Sequence, residues 1–194
     1  MSIWSDAMLS EKMNEALNVQ ANRELYSSYL YLSMSYYFES TRMSGFANWM
    51  RVQAGEELVH AMKMHDYVAS AGGRAKMLAI EAPQFSWASP AAAFQHVWNH
   101  ERAVTGLIHA LVDVAVVEKD EATRSFLQWY VDEQVEEEES SDNVLNKVKA
   151  AGNDSVALQA ADRELGSRRF KFPRGFDIFP YAAMRGITIG SLKK

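Results

Sequence analysis

The chain has 194 residues, of which 48% are hydrophobic and 23% charged, with a net charge of −5 and no cysteine. That length can bury one sizeable core, and the missing cysteines exclude disulfides, zinc ribbons and thiolate iron sites. No apolar run approaches the ~20 residues that span a bilayer. The opening Met1-Ser-Ile-Trp-Ser-Asp lacks the pattern of a signal peptide, so a cytoplasmic protein without membrane contact is expected.

The first predicted helix runs from about Leu9 to Glu39, with one face at three-four spacing: Met13, Leu17, Gln20, Glu24, Ser27, Tyr31, Met34 and Phe38. Ser40, Thr41, Ser44 and Gly45 mark a short turn. The second helix carries Phe46, Met50, Gln53, Glu57, His60, Met64, Tyr67 and Ala71 on its seam, and Gly72-Gly73 stop it. A connection from Gly73 to Ser89 holds one proline, Pro83, and Pro90 follows it directly. Ser89-Pro90 then reads as an N-cap followed by Pro at the first helical position.

The third helix, to about Glu118, has the seam Phe94, Trp98, Glu101, Thr105, Ile108, Val112 and Ala115. Asp120 caps the fourth, whose seam is Leu127, Tyr130, Gln134, Glu137, Ser141, Val144 and Val148. Glu136 to Glu139 are consecutive, so at about 100° per residue they sweep most of the circumference and must turn a carboxylate inward. Gly152-Asn153-Asp154-Ser155 ends this helix and caps a short fifth, about Ser155 to Leu165.

Four long amphipathic helices predict an all-α four-helix bundle with almost no strand. Short turns make helices one and two antiparallel, and likewise three and four. A helix of about 29 residues is roughly 43 Å long. The connection from Gly73 to Ser89 can extend to about 56 Å, enough to cross the bundle and leave helices two and three parallel. Domain organisation follows: residues 1–167 form the bundle with its fifth helix, and residues 168–194 form a C-terminal extension.

Glu24, Glu57, His60, Glu101, Gln134 and Glu137 all fall near the middle of their helices. Mid-helix positions share a level whichever way each helix points, so four carboxylates and one imidazole are expected to converge in the core. Each unpaired buried carboxylate costs several kcal/mol after relaxation, against a domain stability of about 5–15 kcal/mol. One histidine cannot neutralise four, and no Lys or Arg lies on a seam beside them. Hard cations can. Oxygen ligands with one nitrogen suit iron or manganese better than structural zinc, and this number of groups describes a dinuclear site.

These residues resemble the ferritin family, specifically its bacterial non-haem branch. The resemblance rests on Glu24-Leu-Tyr-Ser-Ser with Tyr31, Glu56-Glu57-Leu-Val-His60, Glu101, and Phe126-Leu-Gln-Trp-Tyr-Val-Asp-Glu-Gln-Val-Glu-Glu138, in order over about Ser10 to Gly166. It implies a ferritin-like bundle with a long crossover between helices two and three. It implies that Glu24, Glu57 and His60 hold a first iron with Glu57 bridging. Glu101 and Glu137 would hold a second, with Gln134 beside it. Glu56, Glu133 and Glu136 match an accessory third iron site, and Tyr31 a tyrosine able to supply an electron. The implied activity is oxidation of Fe(II) by dioxygen or peroxide, with ferric mineral stored inside a shell of twenty-four copies. Glu118, Asp120 and Glu121 are candidates to line a pore of that shell.

Two departures set the chain apart from bacterioferritins. The fourth helix carries Gln134-x-x-Glu137 in place of Glu-x-x-His, and Leu58 stands where a haem-ligating Met would follow Glu57, which implies no haem. The competing expectations are a di-iron oxygenase acting on an organic substrate and an iron-binding protein without oxidase activity.

From Arg168 onward seven basic residues face one acidic, a balance of +6, so the preceding body carries −11. Such a body is a poor nucleic-acid binder and a plausible cation handler. The last residues, Gly186-Ile-Thr-Ile-Gly-Ser-Leu-Lys-Lys194, resemble the targeting peptides of encapsulin cargo proteins. That resemblance implies docking of Ile187, Ile189 and Leu192 into apolar pockets of an encapsulin shell.

Overall fold

The computed structural model describes residues 9–171; residues 1–8 and 172–194, including the tail peptide Ile187–Lys194, lie outside the described residues. Five helices follow one another: α1 Glu11–Ser40, α2 Ser44–Ser70, α3 Pro90–Glu118, α4 Glu121–Ala151 and α5 Ser155–Leu165. No strand occurs among the described residues. Side-chain caps set four of the starts. Ser10 accepts from the Met13 N–H, Ser89 from Ala92, Asp120 from Thr123, and Asp154 from Val156 and Ala157. A cap of this kind stabilises a helix by about 1 kcal/mol.

The 71–89 connection lies along α1. Asn18 Nδ2 donates to the Arg74 carbonyl, Asn22 to Ala79, Ser33 to Gln84 and Tyr37 to Trp87. Contacts therefore advance along both segments together, and the connection climbs from the N-terminal to the C-terminal end of α1. Since α2 starts beside the end of α1, α2 and α3 run parallel, as the length argument requires. These bonds satisfy extended backbone that a regular element would otherwise have to pair.

On α1 and α4 every expected seam residue is buried. On α3 the buried line is Phe94, Val97, Glu101, Val104, Ile108, Leu111 and Ala115, while Trp98, Thr105 and Val112 are half-buried. The two lines share every other member. Both satisfy three-four spacing, so periodicity alone could not choose between Val97 and Trp98. On α2 the seam drifts from Tyr67 to Val68 in the last turn, because a helix of 3.6 residues per turn does not hold a strict heptad.

Two apolar clusters form, one around Phe38, Phe46 and Phe94 and the other around Met13, Leu17 and Leu127. Between them lies a polar layer containing Glu24, Gln53, Glu57, His60, Glu101, Gln134 and Glu137, all buried. The short helix α5 closes one end of the bundle. A Cβ on Gly45 would stand 1.6 Å from the Asp162 carbonyl oxygen, so only glycine admits α5 against the start of α2. Asp162 in turn accepts from the Phe46 N–H at 2.8 Å.

Candidate metal centre

Each helix of the bundle delivers a carboxylate to the polar layer because its apolar seam gives way to polar residues at mid-length. Glu24 and Glu101 expose 1% of their surface, Glu57 and His60 2%, Gln134 and Glu137 6%. One ligand atom from each of Glu24, Glu57 and His60 lies within 4.8 Å of the other two, and the same holds for His60, Glu133 and Glu137. The first group is the one the family resemblance implies for a first iron. The second group joins Glu137 to His60 and Glu133; Glu101 belongs to neither.

Hydrogen bonds fix these side chains from outside the cluster. Gln20 Nε2 donates to Glu24 Oε1 at 2.8 Å, and Gln53 Nε2 to Glu137 Oε2 at 2.6 Å. The Tyr31 hydroxyl donates to Glu101 Oε1. Gln134 Nε2 reaches the Glu101 carbonyl and the Thr105 hydroxyl, both at 3.2 Å. Tyr130 donates to the His60 carbonyl at 2.8 Å, tying α4 to α2. His60 Nδ1 faces Glu57 Oε2 at 3.4 Å. His60 Nε2 and Glu101 Oε2 are buried with no hydrogen-bond partner among the described residues. Buried polar atoms are rarely left so, and two free ligand atoms among carboxylates are what a bound cation would satisfy.

Electrostatics points the same way. Burial, and then the Glu57 charge, push Glu24 up to about 8. Burial, and then Glu137, push Glu101 up to about 8. Glu57 rises to about 7, chiefly through burial. Burial alone would lower His60, but its bond to Glu57 and the charges of Glu57, Glu24 and Glu137 outweigh that and raise it to about 10. Without a metal, Glu24 and Glu101, and in part Glu57, thus retain protons at neutral pH.

The outer carboxylates are differently placed. Glu136 is exposed and Glu133 half-buried. Glu138 accepts from the Thr105 hydroxyl at 2.6 Å. Glu56 pairs with the Arg168 guanidinium at 2.5 Å. Burial raises Glu56 to about 7 even though Arg168 pulls it down. Three supports of the buried carboxylates are not legible as such in the sequence. Gln20 and Gln53 were visible as polar interruptions of their seams, but nothing there showed what they would bind. Arg168 carried no signal, because it lies beyond the helical period. Of the three pore candidates, Glu118 pairs with Lys12, Glu121 with Arg124, and Asp120 caps α4.

Residues 14–151 match the ferritin-like domain family. The chain is 47% identical to a bacterial non-heme ferritin of Bacteroides fragilis, over 83% of this chain and 100% of that protein. It is 38% identical to a bacterial non-heme ferritin of Staphylococcus aureus, over 84% and 98%. A solved structure described as an open pore ferritin from the archaeon Archaeoglobus fulgidus superposes with a TM-score of 0.82 at 56% identity, covering 83% of this chain and 99% of that one. An engineered closed form of the Archaeoglobus ferritin gives 0.83 at 56% identity, over 84% and 99%.

Proposed function

The chain belongs to the ferritin family, and from that premise we propose that it stores iron and oxidises it on the way in. Two Fe(II) ions are the substrate. Glu24, Glu57 and His60 receive one, and Glu101 and Glu137 the other, with Glu57 between them and Gln134 alongside. Each iron gives up one electron. Dioxygen takes the pair with two protons to form hydrogen peroxide, or peroxide takes the pair with two protons to form water. Holding two metals about 3.5–4 Å apart lets both face one oxidant. Carboxylates suit the product, since Fe(III) is the harder ion and prefers oxygen ligands.

The observation carrying this reading is the set Glu24, Glu57 and His60, with ligand atoms within 4.8 Å of one another in a buried layer. Tyr31 holds Glu101 by its hydroxyl, and in this reading it supplies an electron to the centre. The walls of the layer are carboxylates, amides and an imidazole, which favours iron oxidation over a reaction on an apolar organic substrate.

Ferric mineral needs an enclosure, and self-association into a shell of twenty-four copies is the family's solution. Tyr36 is 61% exposed, Phe85 81% and Val135 66%, as faces that meet other copies would be. We assign Gly186–Lys194 as a peptide for packaging into an encapsulin shell. This rests on its sequence and fits a cytoplasmic protein. No helix among the described residues is long and apolar enough to cross a membrane. Stopped-flow absorbance after mixing the metal-free protein with Fe(II) in air tests the oxidase reading. A fast phase saturating near two irons per subunit is expected, and only slow autoxidation would refute it.

A further inference from the structure

Just past α5 the chain turns back onto α2 and inserts one cation beside the centre. Arg168 Nη1 donates to Gln53 Oε1 at 2.7 Å, and Nη2 to Glu56 Oε2 at 2.5 Å. Its Cζ lies 4.6 Å from the centroid of the Trp49 ring. Asn48 Nδ2 reaches the Arg168 carbonyl at 3.1 Å, which fixes the backbone at that point. The Phe170 ring stands 3.2 Å from where a Cβ on Gly55 would be. A glycine inside a helix costs about 1 kcal/mol relative to alanine, and here it leaves room for the returning segment. Three consecutive turns of α2 are therefore shaped to receive residues 168–170.

The consequence reaches the metal ligands through Gln53. Because its Oε1 accepts from Arg168, its Nε2 is the atom left to face Glu137, to which it donates at 2.6 Å. Glu56, which the family pattern would give to an accessory iron with Glu133 and Glu136, has an oxygen bound to a guanidinium. That group is never deprotonated in a protein. Stacked on an indole and forked between two acceptors, it is also held in one geometry.

We propose that Arg168 takes the place of a third cation. It occupies Glu56 and, through Gln53, positions Glu137, so that each subunit takes two metal ions at the centre rather than three. This rests on the di-iron reading above and adds the metal count to it.

Co(II) titration under argon, with bound cobalt per subunit counted from its visible absorbance, tests the count without any oxidation step. Wild-type protein is expected to bind two. Arg168→Gln frees Glu56 and is expected to bind three, and Arg168→Gln/Glu56→Gln to return to two. Glu56→Gln alone, with Arg168 in place, is expected to keep two, which tests the idea even if the Arg168 variant does not assemble. A wild-type count of three, a count of two in Arg168→Gln, or a loss of one ion in Glu56→Gln would overturn the proposal. A wild-type count of two without fast iron oxidation would overturn the oxidase reading and leave this one standing.

Discussion

Tyr31 on α1 donates its hydroxyl to Glu101 on α3, so a phenol holds the one buried carboxylate that joins neither three-residue ligand group. Glu101 keeps its second oxygen free of any hydrogen bond among the described residues. The arrangement fixes one oxygen and leaves the other open.

Tyr31→Phe keeps the ring in its fully buried position and removes only that donor. Hydrogen bonds to charged groups are worth about 1.5–3 kcal/mol, so the initial rate of iron oxidation should fall roughly 10- to 100-fold. Helix content by circular dichroism should be unchanged. An undiminished rate would remove Tyr31 from the centre's working parts.

Glu24→Gln separates function from stability. Gln20 can donate to an amide oxygen as it does to the carboxylate, while a buried group that resists ionisation is removed. The variant should lose fast oxidation by about 100-fold or more, since even outer supports of a metal ligand are worth 10–100-fold. In the metal-free state at pH 8 it should resist urea better than wild type. A less stable variant would mean that the carboxylate contributes to the fold in its own right.

Metal-free protein should lose stability as pH rises from about 5 to 9. In the folded state burial pushes Glu24 and Glu101 up to about 8 and Glu57 up to about 7, all above the ordinary value of 4.5. Their contribution is complete below about 4.5 and is lost as pH rises through the folded values. His60, raised from 6.5 to about 10, adds a contribution of the same sign, lost towards pH 10. Metal binding needs deprotonated carboxylates and neutral imidazole, so the metal-loaded protein should show the opposite slope. Urea midpoints across pH, with and without Co(II) under argon, check both signs.

Deleting Gly186 to Lys194 should leave oxidation unchanged, because the candidate ligands Glu24, Glu57, His60, Glu101 and Glu137 all lie on α1 to α4. The same deletion should abolish co-purification with an encapsulin shell expressed alongside. Packaging of the shortened chain would refute the assignment of the tail.

Most of this architecture was legible because each layer of it is periodic. The seams of α1 and α4 could be read residue by residue, and Glu24 and Glu137 stood out as charges on apolar lines. Ser89, Asp120 and Asp154 announced helix starts through the chemistry of capping. Features that depend on where the chain returns in space were not legible. Lys119 takes a left-handed conformation at φ 57° to turn α3 into α4, with no glycine to signal it. The need for glycine at position 45 comes from Asp162, distant in sequence. Arg168 meets Glu56 only because α5 docks where it does. Trp98 against Val97 was undecidable, since the choice depends on helix rotation, which neighbouring helices set.

If the four helices bring their carboxylates together to hold a pair of metals, anomalous diffraction at the iron edge, from crystals soaked anaerobically in Fe(II), will locate both. Two peaks about 3.5–4 Å apart are expected, one against Glu24, Glu57 and His60, the other against Glu101 and Glu137. Crystals that show iron only at the surface, with Glu24 and His60 unmoved and unligated, would contradict that arrangement.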